Sequence, residues 1–82
     1  MTVVVLYFAA LRELLGLSEE KLSLPGASLS VDELAKYLVQ RHPALSAHLG
    51  SVRFAVNEAF VNGAAEVSTG DTVALIPPVS GG

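Results

Sequence analysis

Apolar positions change their spacing several times along the chain, and each change marks an element. Val3 to Phe8 is almost continuously apolar and dense in β-branched and aromatic residues. That composition predicts a strand in the middle of a sheet, covered on at least part of both faces. Ala9 to Leu15 switches to helix formers, and Gly16 is a natural stop. From Glu19 to Leu24 the pattern alternates, with Leu22 and Leu24 on one face and Lys21 and Ser23 on the other. This is a half-exposed strand closed by a Pro25-Gly26 turn. Ser30, Val31, Asp32 and Glu33 form a capping box. The helix they open should run to about His42, where Pro43 follows. Val31, Leu34, Ala35 and Leu38 make its buried stripe, and Lys36, Gln40 and Arg41 fall largely outside it. Val52, Phe54 and Val56 alternate with Arg53, Ala55 and Asn57 as another half-buried strand. Phe60 and Val61 form a stub before Asn62-Gly63, a tight-turn dipeptide. Gly70-Asp71 is a second turn, and Thr72 to Ile76 is the last strand.

The order is strand, short helix, strand, long helix, strand, stub, strand. The first and last strands are the most apolar, as buried parallel neighbours would be. If they lie side by side, the long helix belongs to their connection and covers one face of the sheet. The expected fold is therefore α+β: a mixed, ubiquitin-like β-grasp sheet over residues 1–76, covered by one long helix, with a short helix after the first strand.

Composition narrows the chemistry. The 82 residues make one domain, and at 51% apolar they suffice for a core without staples. No cysteine is present. Disulfides, thiolate metal sites and a cysteine nucleophile are thereby excluded, and the chain suits a reducing cytoplasm. A net charge of −3 with scattered Lys and Arg argues against nucleic acid as a partner. The apolar run Val3 to Leu11 has no basic residue before it, is followed by Arg12 and Glu13, and is too short to span a bilayer. His42 and His48 flank a Pro-containing turn with no carboxylates clustered near them in the chain. They are expected as surface or capping residues, and no metal site is expected.

The last stretch, residues 77–82, is of a different character. Pro77 and Pro78 stop the strand, and Val79, Ser80, Gly81 and Gly82 follow. Each proline fixes φ near about −65° and donates no backbone hydrogen bond, so the pair favours an extended path. The glycines have no Cβ, so the end fits a channel too narrow for side chains. Its free α-carboxylate is the one chemical handle that chain position makes unique.

These features together resemble a known family. Tyr7-Phe8-Ala9-Ala10-Leu11-Arg12-Glu13-Leu14, Val61-Asn62-Gly63, Gly70-Asp71 and Ile76-Pro77-Pro78-Val79-Ser80-Gly81-Gly82 look like the small, sulfur-carrying subunit of molybdopterin synthase, the MoaD family. The resemblance covers essentially the whole chain, and the tail is its most specific part. It implies a carrier rather than a self-sufficient enzyme, with no cofactor of its own. A ubiquitin-activating-type adenylating enzyme would use ATP and magnesium to convert the Gly82 carboxylate to an acyl-adenylate. Sulfur from a persulfide donor would then leave a C-terminal thiocarboxylate. The carrier would dock on the large synthase subunit, in a heterotetramer, and give its sulfur to cyclic pyranopterin monophosphate. Two alternatives remain: the thiazole-forming sulfur carrier of thiamine synthesis, and a ubiquitin-like protein modifier. The helix Ala9 to Leu15 and the Pro-Pro pair favour the molybdopterin role over the thiazole one.

A docking surface is also expected. Phe8 and Ile76 stand at the carboxyl ends of the first and last strands, where the tail departs, and Phe60 sits on a stub bordering that end. Exposed together, they would form a partner site, with Arg12 at its rim. The competing expectation is that Phe8 and Ile76 finish the core.

Overall fold

Two central strands carry the molecule. The structure, a computed structural model, describes residues 1–78. Strand β1 (Thr2–Tyr7) runs parallel to β7 (Thr72–Ile76), with Leu6 opposite Ala74 and Tyr7 opposite Leu75. Short helix α1 (Ala9–Leu15) follows β1, and Gly16 ends it in the left-handed region at φ 73°, which costs glycine no Cβ clash. Strand β2 (Glu19–Ser23) returns antiparallel to β1. After β3 (Ser28–Ser30) comes the long helix α2 (Val31–Arg41). Strands β4 (Arg53–Val56) and β5 (Ala59–Val61) form a hairpin, and β6 (Glu66–Ser68) precedes β7. The main sheet has the order β2-β1-β7-β4-β5, with β3 and β6 pairing separately. This is the expected α+β architecture, with the first and last strands parallel at its centre.

One face of the sheet packs against α2. Val3, Val5 and Tyr7 of β1 and Val73 and Leu75 of β7 join Val31, Leu34 and Leu38 in a single buried cluster. Ser30 caps α2 through the expected box: its Oγ accepts from the Glu33 amide (3.1 Å), and Glu33 Oε1 accepts from the Ser30 amide (2.9 Å). The next two helix amides, Val31 and Asp32, donate to the carbonyls of Ala65 and Gly63. That docking brings Gly63 against the helix so closely that a Cβ there would overlap the Asp32 carboxylate.

Several local expectations need correction. Asn57 is not in a strand. Asn57 and Glu58 both have positive φ (50° and 71°) and form the two-residue hairpin loop between β4 and β5. Both residues at positive φ mark a loop whose twist matches the flanking strands. Asn57 is one of the non-glycine residues that tolerate that region, and its side chain accepts from the Thr72 amide (3.0 Å) and donates to Asp71 (2.9 Å). Asn62-Gly63 makes a turn as expected, but it leads into the α2 cap and β6 rather than closing a hairpin. Strands β3 and β6 were not foreseen, since each is three residues long with one buried apolar residue, Leu29 and Val67. Pro43–Ala47 and Leu49–Ser51 are short 3-10 turns, and Leu45 within the first is fully buried.

The histidine reading also changes. His42 is the C-cap of α2, with its amide donating to Leu38. Its ring is half-buried, however, and Nε2 lies 2.8 Å from Glu20 Oε1, a carboxylate 22 residues away in sequence. Glu20 also accepts from the Tyr7 hydroxyl (2.7 Å) and from Arg41 Nε (2.9 Å), so Arg41 is not simply a solvated position. Edge strand β2 is thus tied to the end of α2 over the buried Tyr7 ring. Burial pushes the Tyr7 hydroxyl pKa up, and the hydrogen bond to Glu20 and its charge add to this. For Glu20, burial pushes the pKa up, but hydrogen bonds from Tyr7, Arg41 and His42 outweigh it and hold the carboxyl below its ordinary value. Among the described residues no helix is long and apolar enough to cross a membrane.

Candidate docking face and tail exit

Strand β7 ends at Ile76; Pro77 and Pro78 follow outside any strand, the second of them exposed. Val79, Ser80, Gly81 and Gly82, which carry the expected chemistry, lie outside the described residues.

The sheet face away from α2 is built by strand register. Leu6 stands opposite Ala74, Ala74 opposite Ala55, and Ala55 opposite Phe60, so these four form one row across four strands. Residues directly opposite share a face. Beside the row, Ile76 stands opposite Arg53. Phe8, one residue beyond β1, keeps an extended backbone and donates its amide to the Leu75 carbonyl. The row has apolar side chains on the side that α2 does not cover, while Phe54 and Val56 point with Val73 and Leu75 into the core side. Ala55, on a strand paired on both sides and opposite Phe60, is buried even so.

The competing expectation for Phe8 is therefore settled against the core. Phe8 is 43% exposed and Phe60 55%, two of the four large apolar residues exposed among those described. Ile76 is half-buried on the same face by register. Arg12 is exposed on α1 and makes no hydrogen bond or ion pair to the face among the described residues. The cation that does reach it is Arg53, which sequence reasoning treated only as an outward strand position. Its guanidinium carbon lies 3.9 Å from the centroid of the Phe60 ring. Strand parity alone placed Arg53 on this face, but its meeting with Phe60 required the hairpin at Asn57-Glu58, which was missed.

Chemically, the Phe60 end of the face offers apolar area and one cation, Arg53, which equips it to bind rather than to move protons. Among the described residues no group of three or more His, Cys, Asp or Glu side chains is placed to hold a metal ion.

Comparison with known proteins bears on the family and the fold. The model of the ThiS family matches residues 5–82. The molybdopterin synthase sulfur carrier subunit of Chlamydomonas reinhardtii is 37% identical, with all of both chains covered. Among solved structures, a putative molybdopterin converting factor subunit 1 from Pyrococcus furiosus superposes with a TM-score of 0.86 at 32% identity, covering 96% of this chain and 99% of that one. SAMP1 from Haloferax volcanii superposes at 0.87 with 29% identity over the whole of both chains. A complex of subunits 1 and 2 of the molybdopterin-converting factor from Helicobacter pylori matches at 0.71 with 26% identity, again over the whole of both chains. With the family model matched from β1 to the terminal glycine and relatives similar over their full length, the chain belongs to the ThiS family.

Proposed function

We propose that this chain is the sulfur-carrying small subunit of molybdopterin synthase. The observation that carries the reading is similarity over the full length to a molybdopterin synthase sulfur carrier subunit, in a fold that sets an exposed apolar face beside the strand leading to the Gly-Gly end. On this reading the Gly82 carboxylate attacks the α-phosphate of ATP, bound with magnesium on an adenylating partner, and pyrophosphate leaves. The terminal sulfur of the persulfide donor then attacks the acyl carbon and AMP leaves. A thiol cleaves the S–S bond of the resulting acyl disulfide, taking the donor sulfur into a disulfide and leaving the terminal thiocarboxylate. Activation matters because a free carboxylate is a poor electrophile, and the covalent carrier divides one hard sulfur insertion into easier steps. The thiocarboxylate is next presented to the large synthase subunit, which docks on the face holding Phe8, Ile76 and Phe60. There the sulfur passes to cyclic pyranopterin monophosphate. The acids, bases and oxyanion donors come from the partners. A chain without cysteine needs no oxidising compartment, and the reading puts this work in the cytoplasm.

Intact-mass measurement tests the proposal. After incubation with the adenylating enzyme, ATP, magnesium and a sulfur donor, the chain gains the difference between one sulfur and one oxygen, at Gly82. Addition of the large subunit and cyclic pyranopterin monophosphate then restores the original mass and yields molybdopterin. A chain joined through Gly82 to a lysine of another protein would support the modifier reading instead. Sulfur passed only to a thiazole-forming enzyme would support the thiamine reading.

A further inference from the structure

We infer that Arg53 is a specificity element of the docking face, and that the partner covering this face presents a carboxylate to it. The inference rests on the proposed docking with the large subunit. Arg53 occupies the last position of the face before the tail departs, directly across from Ile76. The Phe60 ring lies against one side of its guanidinium. Phe60 pairs with Ala55, so Arg53, two residues earlier on β4, is its diagonal cross-strand neighbour, a separation that long and aromatic side chains bridge. The contact sets the guanidinium against an aromatic ring, and no hydrogen bond among the described residues occupies its N–H groups. That is the arrangement suited to a two-pronged carboxylate contact.

Nothing within the described residues neutralises this cation. The only ion pairs there are those of Glu20 with Arg41 and His42. The acid of the main sheet that shares Arg53's face is Glu19, opposite Leu6 on β2, three strands and about 14 Å away. Glu58 is at the turn end of the β4–β5 hairpin, while Arg53 is at its open end. A protein surface that buries Phe60 must also cover Arg53. Covering a charge with nothing to pair it is strongly unfavourable, so a partner that binds tightly supplies the opposite charge. Apolar anchors of the face provide affinity. The single cation at the tail exit then fixes which surface is accepted and in what orientation.

The test is binding of the large synthase subunit by calorimetry at low and high salt, with Arg53→Leu, Arg53→Glu and, as reference, Phe60→Ala. Arg53→Leu keeps an apolar cover on Phe60 and removes the charge. It should raise Kd at least about tenfold at low salt and flatten the salt dependence; Arg53→Glu should raise Kd at least about thirtyfold. Melting of both Arg53 variants checks that the free carrier stays folded. If Arg53→Leu binds as tightly as the unaltered chain, or more tightly, while Phe60→Ala weakens binding, the face docks the partner and the inference about Arg53 is wrong. If Phe60→Ala also binds normally, the docking face itself is misassigned. A dimer of the carrier alone that Arg53→Glu dissociates would give the face to a second copy and overturn the inference.

Discussion

Replacing Phe60 with alanine separates the two roles that a large apolar side chain can have. Phe60 is 55% exposed, on the edge strand β5. Full burial of a phenylalanine is worth about 1.5–3 kcal/mol, so with less than half of it shielded the burial lost is about 1 kcal/mol. The stack of Arg53 on the ring adds about 0.5–1 kcal/mol at so open a position. The expected cost in folding stability is therefore about 1–2 kcal/mol, clearly below the roughly 3–5 kcal/mol of a core Phe→Ala. Docking should suffer more. An aromatic anchor at the centre of an interface costs at least about 2 kcal/mol when truncated, which is about thirtyfold in Kd. Denaturant unfolding of the isolated chain measures the first quantity, and calorimetry with the large subunit measures the second. Leu75→Ala is the control. Leu75 is fully buried on the opposite, helix-covered face. Its truncation should cost about 2–5 kcal/mol of stability and leave the affinity of the folded molecules almost unchanged. The reasoning is refuted if Phe60→Ala loses more than about 3 kcal/mol of stability and still binds the large subunit with the original Kd.

Deleting Gly82, or adding one residue after it, should abolish sulfur transfer and leave the melting transition unmoved; an extended carrier that works at the normal rate without being trimmed refutes the proposed role of the terminus. Glu20→Gln should cost about 1.5–3 kcal/mol at neutral pH through weakened bonds to Tyr7, Arg41 and His42. Because the folded-state pKa of Glu20 lies below its unfolded value, its contribution is complete above that value, 4.5, and disappears as the pH falls through the depressed one. The stability gap between the two proteins, measured by unfolding at a series of pH values, should therefore close with acid; a gap that widens contradicts the assignment. Gly63→Ala should destabilise by about 1 kcal/mol because the new Cβ displaces the Asp32 carboxylate. Adding Asp32→Ala should then cost less in that background than alone, and strictly additive losses would argue against the contact.

How far the sequence could be read followed from where each signal was stored. Elements whose signals are local were legible. α1 begins and ends where helix formers and Gly16 put it, and the Ser30–Glu33 box opens α2 as expected. Parallel pairing of β1 and β7 was expected from their continuous apolar character, although the structure buries only the α2 side fully and leaves Leu6, Ala74 and Ile76 half-buried on the other. Contacts made between distant segments were not legible. Glu20, Tyr7, Arg41 and His42 meet only because β2 lies beside β1 and under the end of α2, so no spacing in the sequence announces them. Positive φ at Glu58 likewise has no residue signature of the kind glycine provides. Of the residues expected at the docking face, parity put Phe8 and Ile76 on one side and the stub pointed to Phe60. The structure leaves Phe8 and Phe60 exposed, and Arg53 was passed over because its neighbour comes from another strand.

The same register explains why a carrier of this kind is built on its central strand. The tail continues β7, which is hydrogen-bonded on both sides, to β1 and to β4. Val73 and Leu75 are fully buried on its helix side, and Ala74 and Ile76 share the other face with Ala55 and Arg53. A partner that grips Phe8, Ile76 and Phe60 therefore holds the strand from which the tail emerges, with no hinge between grip and exit among the described residues. Proline at both of the next positions restricts φ where a flexible linker would let the chain wander. On the proposed function, docking of the face would then largely set where the chain end is presented, and less conformational entropy would remain to be lost on reaching the partner's site. An edge strand such as β5, paired on one side only, would pass each of its own fluctuations to the tail.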